Sequence, residues 1–313
     1  MKPTVSICIP AYKRVDYLKR LLESISKQDF RDFEVIVSDD SPDSSVEQLC
    51  SEYSPLFSLR YFKNDLAFGT PENWNQAIAK ASGSWIKLMH DDDWFYNSTA
   101  LGKFVEAAKS KGGVLIFSAY QNVFLDENRS EFVFPSAIRL KFLSKSPATL
   151  LSKNLIGPPS VIMHPNGLKI RYDKRTKWVV DIDFYIQLMT SHQYHYIPEV
   201  LVSVGMSREQ VTASCSRNPQ VEIPENLYLM DKIGWGSLRN ILVFDSLWRL
   251  LRNFQIHSIN DLRAHGYEGV LPGFIDCIIQ AQLKWGFKLL SIGGVSKMAM
   301  CFSYFKLKNK IPA

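Results

Sequence analysis

Apolar residues along the first ninety positions come in two rhythms. Short unbroken runs, TVSICI (4–9), FEVIVS (33–38), LRYF (59–62) and WIKLM (85–89), predict strands, the first of them buried on both faces. Between them Leu18, Leu21, Leu22 and Ile25, and later Trp74, Ala77, Ile78 and Ala81, recur at helical spacing, with Gly83 closing the second helix. Strands alternating with helices predict an α/β fold: a Rossmann-like, mostly parallel sheet with helices on both faces. Further on, VLIFSA (114–119) predicts a strand, QNVFLDENRSEFVF (121–134) a hairpin, Ala148 to Ile156 a helix and 161–164 a strand. WVVDIDFYIQLM (178–189) predicts a helix entered at Asp181, with Ile182, Tyr185, Ile186 and Met189 toward the core, and HYIPEVLVSVG (195–205) another strand. From 216 onward the pattern is helical, rich in Trp and Leu.

Composition narrows the setting. With 46% hydrophobic and 22% charged residues in 313, the chain is globular and long enough for a substantial core. Five scattered cysteines without a CxxC or Cys/His cluster argue against a disulfide framework or zinc site, and fit a reducing cytosol. MKPTVSICIPAYKR is too short in apolar residues for a signal peptide, and no run reaches the roughly 20 residues that span a bilayer. The expectation is a cytoplasmic protein, soluble or peripheral at the inner membrane face. The net charge of +6 comes from the C-terminal end: no acidic residue follows Asp276, while Lys284, Lys288, Lys297, Lys306, Lys308 and Lys310 do. Without those six lysines, basic and acidic residues balance at 31 each, so no basic face for nucleic acid is expected.

The chemistry-bearing residues gather at the ends of the strands. Pro10-Ala11-Tyr12, Asp39-Asp40 and His90 to Asp93 all fall where a parallel sheet places its ligands, outside the carboxyl ends. In KLMHDDDWF (87–95) three adjacent carboxylates repel one another, and each raises the cost of ionising the next. A solvated turn or N-cap would tolerate them; a divalent cation would convert the repulsion to attraction.

In order and spacing, VSICIPAYKR, IVSDDSPD, KLMHDDDWF and VVDIDFYIQL resemble the motifs of family 2 glycosyltransferases with the GT-A fold, over roughly residues 4–215. The resemblance implies a nucleotide-sugar-binding half (1–110), an acceptor-binding half (111–215) and a helical C-terminal extension (216–313). It implies that Tyr12 packs on the base in a pocket shaped by Pro10 and Ala11, that Asp40, with Asp39, bonds base or ribose, and that Arg14, Asn75 and Asp91 belong to the donor site. In the family's Asp-any-Asp-Asp segment, His90 takes the first position and Asp92 the third, so Asp92 is the implied metal ligand. His90 replaces a carboxylate, and Asp93, like Asp91, either caps the turn or holds metal-bound water. Mn²⁺ or Mg²⁺ suits such a shell.

Asp181 matches the family's catalytic aspartate: a general base for the acceptor hydroxyl in an inverting displacement, and also a natural N-cap for its helix. Val180 stands where relatives often carry Glu, and Ser207-Arg208 where many place a histidine. Arg208 is either a diphosphate partner or a solvated loop arginine.

The implied donor is a nucleoside-diphosphate sugar, UDP first. The implied acceptor is a glycan hydroxyl, often on a polyprenyl-diphosphate carrier, as in bacterial surface polysaccharide assembly. Processive relatives carry membrane spans and Gln-x-x-Arg-Trp; neither is present, which favours single-sugar transfer. Within 277–313, Ile279, Leu283, Phe287 and Leu290 read as an apolar stripe beside cationic residues, a candidate contact with an anionic membrane or an ordinary packed helix. Two other readings stay open: a nucleotidyltransferase, disfavoured because PAYKRVDY lacks a Gly-rich loop, and a catalytically silent nucleotide-sugar-binding protein.

Overall fold

The computed structural model describes residues 2–111, 115–207 and 215–312. The chain divides into two units: Met1–Ser144, Leu155–Lys174 and Asp183–Gln210 form the first, and Lys145–Asn154, Arg175–Ile182 and Val211–Ala313 the second.

The first unit opens with β1 (Val5–Ala11), α1 (Val15–Ser26), β2 (Phe33–Asp39), α2 (Ser45–Tyr53), β3 (Leu59–Lys63), α3 (Glu72–Ala79) and β4 (Trp85–Leu88). Strand order 3-2-1-4 is parallel throughout. The inner strands are the β-branched ones: Val5, Ile7, Ile9, Val35, Ile36 and Val37 are wholly buried, while edge strand β3 alternates with polar residues and is partly exposed. Such runs are what a strand covered on both faces requires. Leu18, Leu21, Leu22 and Ile25 of α1 line the core as their spacing predicts.

Beyond β4 the sheet changes character. β5 (Trp94–Phe95), α4 (Ala100–Lys111), β6 (Leu115–Phe124), β7 (Arg129–Val133), α5 (Ala137–Lys145), β8 (Ile162–Pro165) and β9 (Tyr194–Met206) follow, with α6 (Val180–Ser191) before β9. β8 runs antiparallel to both β4 and β6, β9 is parallel to β6, and the β6–β7 hairpin is the one expected at 121–134. The α/β expectation thus holds, with the purely parallel part confined to the first four strands. Helices α2, α4 and α5 were not anticipated, although Val46, Leu49, Cys50 and Tyr53 of α2 do recur at helical spacing.

In the second unit the expected helix at 148–156 shrinks to a single 3₁₀ turn over Pro147–Leu151. The rest is helical: α7 (Pro219–Lys232), α8 (Ile241–Asn253), α9 (Ile259–Ala264), α10 (Gly273–Trp285), α11 (Phe287–Leu290) and α12 (Gly293–Leu307). Side chains mark the starts: Asn218 and Asn240 accept from the amides of Gln220 and Leu242, and Ser258 with Asp261 forms a capping box. Trp248 is fully buried in α8, its indole donating to Ser296 Oγ (3.1 Å) of α12, and Gln282 of α10 donates to its carbonyl (2.8 Å). The stripe expected over 279–290 is broken: Gly286, at φ 77°, separates α10 from α11, and Ile279 and Leu290 are both wholly buried. Among the described residues no helix is long and apolar enough to cross a membrane.

Candidate active site

Two loops are laced together where β1 and β2 end. The Asp40 amide donates to the Ala11 carbonyl (3.0 Å), and the Lys13 amide to Ser41 Oγ (2.7 Å). Asn73 from α3 donates to the Ser38 carbonyl (3.0 Å). Asp39, wholly buried, accepts from the Ser41 amide, the Tyr61 hydroxyl (2.7 Å) and Lys63 Nζ (3.1 Å). Asp40 accepts from Asn64 Nδ2 (2.8 Å) and from the amides of Phe68 (3.1 Å) and Gly69 (2.8 Å). Both carboxylates therefore hold loops in place. Gly69 sits at φ 69°, a conformation that favours glycine. Around this frame Tyr12 is 50% exposed and Leu66 and Phe68 are also open, so flat apolar surface is presented beside anchored polar backbone.

The loop after β1 also reaches the triple aspartate. Arg14 forks between Asp91 Oδ1 (3.0 Å) and Asp92 Oδ2 (3.2 Å). The Tyr12 amide bonds Asp91 as well. All three aspartates are buried. Burial pushes the Asp91 carboxyl up to about 7 against the pull of Arg14. Burial, then the Asp92 charge, drives Asp93 well above the ordinary carboxylate range, opposed by Ser160 and the Gly205 amide (3.1 Å). Burial lowers His90 to about 4, so its ring is neutral at physiological pH and carries a free lone pair.

The donor atoms of His90, Asp92 and Asp93 lie within 4.8 Å of one another. Among the described residues, the buried His90 Nε2 and Asp93 Oδ2 find no hydrogen-bond partner. Orphaned acceptors facing like charge are costly unless a cation satisfies them, so these three side chains fit one.

Residues without sequence signal hold this segment. Lys87, wholly buried with its amine lowered to about 7 by burial, bonds the Ser160 carbonyl, and Ser160 Oγ accepts from the His90 amide (2.9 Å). The Trp74 ring lies tilted by 40° against the His90 ring, centroids 4.6 Å apart. Gly205 of β9 packs on the Asp92 backbone so closely that any Cβ would collide with the Asp92 carbonyl. Arg20 donates to the same carbonyl (3.3 Å) while lying on the Trp94 ring (3.9 Å).

Asn75 is placed differently from these residues. Its amide bonds the Tyr172 backbone twice (2.9 and 3.1 Å), beside a cavity of about 160 Å³ lined by Ile86, His164 and Phe184. Among the described residues it bonds none of the other expected site residues.

In the second unit Asp181 stands in the first turn of α6, one residue after the helix begins. Its Oδ1 accepts from the Ile182 amide (2.8 Å) and Oδ2 from Asn154 Nδ2 (2.7 Å). Burial nevertheless raises it to about 6. Just before it, the Glu225 carboxylate collects three successive amides, Lys177, Trp178 (2.7 Å) and Val179 (3.2 Å), fixing the approach to the helix. Arg208 lies outside the described residues.

Known proteins with these features point one way. Residues 6–157 match the family described as Glycosyl transferase family 2. An uncharacterized glycosyltransferase of Methanocaldococcus jannaschii is 27% identical over 209 residues, 64% of this chain and 70% of that protein. A GalNAc(5)-diNAcBac-PP-undecaprenol beta-1,3-glucosyltransferase of Campylobacter jejuni is 31% identical over 93 residues, 29% of this chain and only 30% of that protein. The crystal structure of S. aureus TarS 1-349 in complex with UDP-GlcNAc superposes with a TM-score of 0.64 at 15% identity, covering 98% of this chain and 90% of that one. With the motif order, the parallel 3-2-1-4 block and the aspartates at its strand ends all in agreement, residues 6–157 form a family 2 glycosyltransferase domain, within a chain built on the GT-A fold.

Proposed function

We propose that the protein moves one sugar, with inversion, from a nucleoside-diphosphate sugar to a hydroxyl of a lipid-linked glycan, and that it needs a divalent cation. The observation that carries the reading is the cluster at the end of β4, where His90, Asp92 and Asp93 converge and two buried polar atoms find no partner among the described residues. Asp92 and Asp93, with neutral His90, are assigned to hold Mn²⁺ or Mg²⁺, hard ions that accept carboxylate oxygen and imidazole. When bound, the ion neutralises charge developing on the departing diphosphate. Tyr12 is assigned to the base as a stacking surface, on the Pro10-Ala11 backbone that Asp39 and Asp40 hold in register. Arg14 is assigned to diphosphate oxygens, since a guanidinium fork suits phosphate as it suits the two carboxylates it now bridges. A UDP-sugar is the first donor to try, by likeness to the TarS complex. The polyprenyl-diphosphate acceptor is supported by the name of the Campylobacter relative.

Asp181 is the assigned base. Its oxygens accept from the Ile182 amide and Asn154 Nδ2 and retain acceptor capacity for the acceptor hydroxyl proton. A carboxyl near 6 is ionised at neutral pH yet basic enough to take that proton as the oxygen attacks the anomeric carbon.

The experiment is a screen of nucleotide sugars for metal-dependent release of the nucleoside diphosphate, in wild type, Asp181→Asn and Asp92→Asn. The expected result is diphosphate release that Asp181→Asn abolishes while donor binding persists, and metal-dependent donor binding that Asp92→Asn loses. Release of pyrophosphate would identify a nucleotidyltransferase. Donor binding without turnover in wild type would identify a silent binder.

A further inference from the structure

Helix α12 is apolar on two faces. The side chains turned inward are Ser296, Ala299, Met300, Ser303, Tyr304 and Leu307, yet Met298 (56% exposed), Phe302 (75%) and Phe305 (67%) look outward. Steps of four and three put these three on one line along the helix. Ile292 (56%) and Leu289 (43%) extend the same kind of exposure back through the preceding turn and α11. A single exposed apolar side chain is ordinary, but a row of five within seventeen residues is not. The row differs from the stripe the sequence suggests, whose Ile279 and Leu290 are spent on the core.

The charges carried by this segment itself have one sign. Lys288, Lys297, Lys306, Lys308 and Lys310 are all exposed. Lys297 pairs with Asp245 (2.8 Å); the other four have no ion pair among the described residues. No acidic residue follows Asp276 in the sequence. This chemistry selects the occupant. A second copy would bring lysines against lysines and be repelled. A sheet of phosphates over an apolar interior would satisfy both the phenylalanines and the amines, whose long stems let the charge reach the headgroups.

We propose that the α11–α12 face rests on an anionic lipid bilayer, with Met298, Phe302 and Phe305 entering the headgroup–acyl boundary and Lys288, Lys306, Lys308 and Lys310 meeting lipid phosphates. This inference does not depend on the assignment of the reaction.

Co-sedimentation of the full chain with vesicles tests it. Vesicles containing about 30% phosphatidylglycerol should carry the protein down at low salt, and neutral phosphatidylcholine vesicles should do so far less; high salt should release it. Phe302→Ser with Phe305→Ser should weaken binding at least about tenfold, since both rings are then lost from the apolar layer and only Met298 still enters it. Neutralising Lys306, Lys308 and Lys310 to Gln should weaken it by about fivefold for each lysine near the surface. All five substitutions are at exposed positions, so unchanged thermal unfolding and unchanged nucleotide binding verify the fold. Full recovery in the supernatant with anionic vesicles overturns the proposal, as does binding that the Ser variant retains. A concentration-dependent dimer dissolved by Phe302→Ser would overturn it too, by making the face an interface between copies.

Discussion

Single residues decide protonation and shape the proposed cation site, and two of them yield measurable consequences. Asp181 has its carboxyl raised from 3.8 to about 6 by burial. The folded chain therefore favours the protonated acid, a contribution to stability complete below about pH 4 and lost as pH rises through 6. Proton abstraction needs the opposite state. Turnover should climb with pH and be half-maximal near 6, while stability declines slightly over the same interval; in Asp181→Asn the decline should vanish. A pH–rate profile flat between 5 and 7 would remove Asp181 from the proton transfer. Ser160 stands one step back from the proposed cation site, through the His90 amide and the Asp93 carboxylate. Ser160→Ala should weaken Mn²⁺ binding by about 10- to 100-fold, the usual effect of losing an outer partner of a ligand, read from free Mn²⁺ by electron paramagnetic resonance. Neither Ser160 nor Lys87 stands out in the sequence: a lone serine after two prolines and a lysine inside an apolar run gain meaning only when β4 and the 159–161 turn come together. Asp39, Asp40 and the triple aspartate were legible, because carboxylates at strand ends are costly without a use.

Elements show where sequence pattern suffices and where it fails. The inner strands β1 and β2 were legible as β-branched runs because burial on both faces leaves few polar positions to confuse the period. Helical spacing misled at two places. Over 148–156 apolar residues are dense enough for a helix, yet Pro147 starts a turn that closes at Ser152. Over 279–290 a single period runs across Gly286, whose positive φ ends one helix and starts another. Arg208 falls outside the described residues, so that expectation stays as the resemblance left it. The pairing of β9 with β5 and β6 brings Gly205 against Asp92, a contact between positions 113 apart that no local pattern encodes. Gly205→Ala must push the Asp92 carbonyl aside. It should cost about 1–3 kcal/mol in chemical denaturation and lower metal-dependent turnover more than donor-independent folding measures would suggest. Wild-type metal affinity in Gly205→Ala would show that the segment tolerates the shift.

At the scale of the whole molecule, the family 2 domain match ends at residue 157, whereas Asp181 lies beyond it in the second unit. The C-terminal helices supply Glu225, the carboxylate that gathers the amides leading into Asp181. Glu225 acts through hydrogen bonds to distant amides and not through a motif, so nothing in the sequence around it marks this part. Cation binding should register in global stability, because an ion that binds only the folded chain stabilises it by mass action. At about a hundredfold excess over its dissociation constant Mn²⁺ should add about 2.7 kcal/mol, seen as a higher unfolding temperature that Asp92→Asn abolishes. The amine of Lys87 offers a way to watch the same region directly. Having a pKa near 7, it is mostly an uncharged nucleophile at pH 8, when surface amines are still largely protonated, and only its walls keep reagents away. Acetylation by a water-soluble ester, mapped by mass spectrometry, should therefore spare Lys87 in the closed chain and mark it whenever the end of β4 breathes open. The marking should be faster in chelator than in Mn²⁺; equal rates would mean the ion does not brace this strand.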